Sequence, residues 1–99
     1  MSQQEQNIVQ RLLQVLQNLY AESTGLSQED SDLQLWYNRG YADGMLKAMK
    51  ALGYERELAG VKAAGEPPPG EAESFLPWGK AYRHGSEVGE RETYEVLGR

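Results

Sequence analysis

At 99 residues, 39% apolar and 25% charged, the chain has the makings of one lean domain with little stability to spare. Fifteen acidic residues against ten basic give a net charge of −5, with the excess acid concentrated over 54–74. That balance argues against general nucleic-acid binding, which needs a basic face. The absence of cysteine excludes disulfides, thiolate metal sites and a cysteine nucleophile.

The first residues, MSQQEQNIVQ, lack the basic start and apolar run of a signal peptide, and no stretch is apolar enough to span a membrane. A cytoplasmic protein with no membrane partner is expected. Residues 3–22 then read as an amphipathic helix. Ile8, Leu12, Val15, Leu16 and Leu19 recur at helical spacing, widened by Val9 and Leu13, and glutamines supply an uncharged polar face.

The segment STGLSQEDSD breaks this pattern. Ser27 and Ser31 are both candidate N-caps, with Asp30 and Gln34 three residues on as capping-box partners. The spacing of Leu35, Ala42, Met45, Met49 and Leu52 predicts a second helix at about 31–52, ended by Gly53. YERELAGV at 54–61 can form a short further turn of helix. Residues 62–74, with three consecutive prolines, read as an internal Gly/Pro-rich linker.

Pro77 suits the first turn of a last helix at about 77–97, closed by Leu97-Gly98 as Leu52-Gly53 closes the second. No run of alternating β-branched residues predicts a strand. The expected fold is therefore all-α: a small three-helix domain over 1–99 with a Pro-rich connection, completed by self-association.

The second and last helices share a pattern. A shift of 45 residues brings Tyr37 onto Tyr82, Gly40 onto Gly85, Gly44 onto Gly89, Leu52 onto Leu97 and Gly53 onto Gly98. Each mid-helix glycine costs about 0.8–1 kcal/mol relative to alanine. Four of them need an offsetting gain. Glycines four apart bare one helix face, so either another backbone or a ligand approaches it closely. Two helices crossing at their glycine faces, within one chain or across a dimer, is the preferred reading. The interface set is then Trp36, Gly40, Tyr41, Gly44, Trp78, Gly85, Gly89 and Tyr94, with the aromatics as anchors.

The alternative is an anionic-ligand groove built from Tyr37, Arg39, Tyr82, Arg83 and His84, since Arg beside a stacking aromatic suits a phosphate or nucleobase. No P-loop or dinucleotide fingerprint occurs, and the serines form no nucleophile elbow. His84, the only histidine, has Glu87 three residues on as its one candidate helix neighbour. No catalytic, metal or cofactor site is expected. The sequence points to a non-enzymatic acidic binding protein that regulates or inhibits a macromolecular partner. A receptor for an anionic small ligand such as a nucleotide is the second reading.

Overall fold

The computed structural model describes residues 3–23, 32–61 and 75–98, and these are helical with no strand among them. The expected linker at 62–74 and the candidate caps Ser27 and Ser31 lie outside the described residues. Among the described residues four helices occur: α1 (Gln3–Glu22), α2 (Leu33–Ala51), α3 (Glu55–Leu58) and α4 (Pro77–Val96). The three long ones match the expected elements to within two residues at each end. The count of three is corrected by α3, a single turn formed where YERELAGV allowed one.

Local chemistry sets the helix boundaries. Asp32 caps α2, its Oδ1 accepting from the backbone N–H of Gln34 at 3.1 Å and Leu35 at 3.4 Å. Gln34 does not reach back as a capping-box partner; its Nε2 donates to Asn38 at 2.9 Å. At the far end Gly53 adopts φ +92°. The Tyr54 N–H then donates to Met49 and the Gly53 N–H to Lys50, the paired bonds of a Schellman stop. Pro77 sits in the first turn of α4, where its missing N–H is harmless.

α2 is the central element. One face carries Ala42, Met45 and Met49, which pack with Val9, Leu16 and Tyr20 of α1 and Leu58 of α3 into the main core. Gly40 and Gly44 lie on another face, against α4. A second, smaller cluster joins Trp36 of α2 to Trp78 of α4, with ring centroids 4.5 Å apart. Among the described residues no helix is long and apolar enough to cross a membrane.

α2 and α4 run parallel, and their seam is backbone against backbone. A Cβ on Gly40 would lie 2.8 Å from the carbonyl carbon of Tyr82 and 3.0 Å from the Ser86 nitrogen, and closer still to the Tyr82 oxygen. On Gly85 it would meet the Tyr37 carbonyl, 2.9 Å from that carbon, and the Tyr41 nitrogen at 2.9 Å. Gly44 faces Ser86 and Glu90 in the same way, and Gly89 faces Tyr41. Adding 45 to Tyr37 and Tyr41 gives Tyr82 and Ser86. The contacts therefore exchange under the same shift that aligns the sequences, and the seam has an approximate two-fold axis along the helix pair. The sequence repeat is the imprint of this symmetry. Both helices need bare main chain at equivalent positions because each is the other's partner.

The symmetry stops at the outer faces. Ala42, Met45 and Met49 of α2 correspond, 45 residues on, to Glu87, Glu90 and Tyr94 of α4. The apolar version recruits α1; the charged version stays largely in solvent. A single substitution pattern thus decides which member of the pair is central.

Candidate functional site

The glycine faces are occupied within the chain, so they offer no open groove. The polar residues near the seam divide into two groups. At one, α1 and α4 both bond to Asp43 of α2: Tyr20 donates from its hydroxyl to Asp43 Oδ1 at 2.5 Å, and Tyr82 donates to Asp43 Oδ2. Arg39, one turn before Asp43, is 2% exposed; its Nε stands 3.9 Å from Asp43 Oδ1 and its guanidinium lies over the Tyr20 ring at 5.7 Å. Charge opposite charge, plus a ring face, is what makes a buried guanidinium tolerable.

Burial raises the pKa of Tyr20 and Tyr82 above the ordinary tyrosine value, and the hydrogen bond each donates to the Asp43 carboxylate raises it further. Arg39 opposes this only in part. Both phenols hold their protons throughout the physiological range. The cluster is a structural joint in which one half-buried carboxylate holds two phenols.

The second group lies elsewhere on the seam. Tyr37 packs edge-on to His84, with centroids 5.5 Å apart, and tilts against Tyr41 at 6.3 Å. Tyr41 donates to Glu92 Oε1 at 2.6 Å, bridging α2 to α4. Burial, and then the Glu92 carboxylate, push its pKa up as well. Arg83 and His84 are exposed.

The five residues expected to form an anionic-ligand groove therefore do not converge. Arg39 and Tyr82 join the Asp43 cluster, while Tyr37 and His84 meet each other, and Arg83 points to solvent. Of the expected interface set, Trp36, Trp78 and the four glycines pack within the chain, Tyr41 bridges to Glu92, and Tyr94 is half-buried. No group of three or more potential metal ligands occurs among the described residues.

Sequence reasoning passed over Asp43 and Tyr20. Asp43 lies between two glycines and one turn past Arg39, and a charged pair so close to a bare seam is the signal that could have marked it. The apolar residues left in solvent were also missed. Leu33 is 44% exposed, Phe75 79% and Leu76 46%. They lie within a turn of Trp36 and Trp78, at the end where α2 and α4 both begin. No family model matches this chain, and neither a curated protein nor a solved structure matches it.

Proposed function

We propose that this chain is a non-enzymatic, self-associating helical binding protein of the cytoplasm that regulates or inhibits a macromolecular partner, itself a protein. The observation that carries the reading is the exposed apolar group Leu33, Phe75 and Leu76 beside the Trp36–Trp78 pair. A small domain with a lean core leaves a phenylalanine 79% exposed at a net cost in solubility, and grouped exposed apolar side chains mark interaction surfaces.

The test is affinity capture with the wild-type chain and with a Leu33→Glu, Phe75→Glu variant of unchanged helicity. One protein retained by the first and lost from the second supports the reading. A partner retained equally by both places the surface elsewhere. A thermal-shift screen with nucleotides and phosphorylated metabolites separates the anionic-ligand alternative, because a true ligand raises the melting temperature by mass action. This reading predicts a flat screen.

A further inference from the structure

The outward face of α4, opposite its glycines, carries Leu76, Lys80, Arg83, Glu87, Glu90 and Tyr94. Their spacings of four, three, four, three and four place them on one stripe, in the register of a helix–helix seam. Lys80, Arg83 and Glu87 are exposed, and Glu90 and Tyr94 are partly so. The order is apolar, basic, basic, acidic, acidic, aromatic. Reversed, every charge meets its opposite.

The stripe also runs against the helix dipole. The first turn of α4 holds Lys80 and no acid, and its last turn holds Glu95 and no base. Isolated helices favour the opposite arrangement. α2, whose ends are both satisfied within the chain, follows the rule: Asp32 caps its start and Lys50 sits in its last turn. Among the described residues no side chain caps the α4 N-terminus.

We propose that the outer face of α4 is the surface on which a second copy of this chain docks, antiparallel, about a two-fold axis level with Gly85. The inference rests on the self-association proposed above and names where it occurs. In that arrangement Lys80 faces Glu90 of the second copy, Arg83 faces Glu87 of the second copy, and Leu76 packs on Tyr94 of the second copy. Each contact occurs twice. The antiparallel alignment also brings the acidic end of one α4 beside the basic start of the other, which removes the conflict with the dipole. Within the chain Glu90 already stands 3.7 Å from Lys47 Nζ, so that carboxylate has a second cation at hand in the monomer. The dimer is accordingly weak and sensitive to salt, because exposed ion pairs are screened.

Sedimentation of the full chain tests this. The wild type forms a dimer whose dissociation constant rises at least about tenfold between low salt and 0.5 M salt, as screening shortens the reach of exposed charges. Lys80→Glu with Arg83→Glu gives an all-acidic stripe, and Glu87→Lys with Glu90→Arg gives an all-basic one. Each variant alone sediments as a monomer, and an equimolar mixture recovers a one-to-one dimer. If either variant alone dimerises like the wild type, this surface is wrong while self-association stands. If the wild type is monomeric at every concentration in low salt, both fall. Should the variants lose helicity, the salt series on the wild type decides, because a dimer indifferent to salt overturns the charge-paired seam.

Discussion

Tyr20, in the last turn of α1, donates its hydroxyl to Asp43 of α2 at 2.5 Å, and the other oxygen of the same carboxylate receives Tyr82 of α4. One side chain thus ties three helices, with Arg39 beside it. Asp43→Ala removes the acceptor that Tyr20 and Tyr82 share and takes a nearby anion away from Arg39. It is expected to cost about 2–3 kcal/mol, the range for losing hydrogen bonds to a charged acceptor. Asp43→Asn keeps an acceptor and costs less. Urea unfolding of the two variants measures the difference.

The three hydrogen-bonded tyrosines make stability fall in alkaline solution. Their folded pKa values lie above the unfolded value of about 10. Above that pH the unfolded chain releases protons that the folded chain retains, so each unit of pH favours unfolding. Below it their contribution is constant. Tyr20, 2% exposed, contributes about 1.4 kcal/mol per pH unit in that window. Denaturant midpoints measured on either side of pH 10 detect the decline. Tyr20→Phe lowers stability at neutral pH and flattens the alkaline slope.

Trp36 and Trp78 lie 4.5 Å apart between ring centroids, at an interplanar angle of 42°. Two indoles so close and so tilted couple electronically, and the folded chain is expected to show a paired positive and negative feature in far-ultraviolet circular dichroism. Trp78→Phe removes the couplet while keeping most of the packing. Trp78→Ala removes both, at about 3–5 kcal/mol.

Much of this architecture was legible in the sequence because it rests on local rules. The periodicity of Ile8 through Leu19 gave α1 its bounds, and Gly53 and Gly98 marked the stops of α2 and α4 through their positive φ. The repeated glycines announced a bared helix face that another backbone or a ligand approaches closely, since their helical cost needs an offsetting gain. The partner of each bare face was not legible. Spacing says which residues share a face, but whether that face meets its own chain or a second copy depends on the fold of the whole. For the same reason the proposed groove dispersed. Arg39 and Tyr37 are two residues apart, and a helix turns about 200° over that interval, so their side chains leave in different directions. Asp43 escaped notice because its importance comes from Tyr20 and Tyr82, which only tertiary structure brings to it.

The most direct test of the account is the stability of Gly40→Ala and Gly85→Ala, with Gly60→Ala as control, by chemical denaturation. A Cβ at the first two positions meets the backbone of the facing helix, which cannot give way as a side-chain tip would, whereas nothing lies within 4 Å of one on Gly60. Intrinsic propensity favours alanine at the two helical sites by about 1 kcal/mol. The account predicts that the seam overrides that gain, each helical substitution destabilising by about 2–3 kcal/mol net, while the control is neutral or slightly stabilised. Stabilisation by both Gly40→Ala and Gly85→Ala would contradict it.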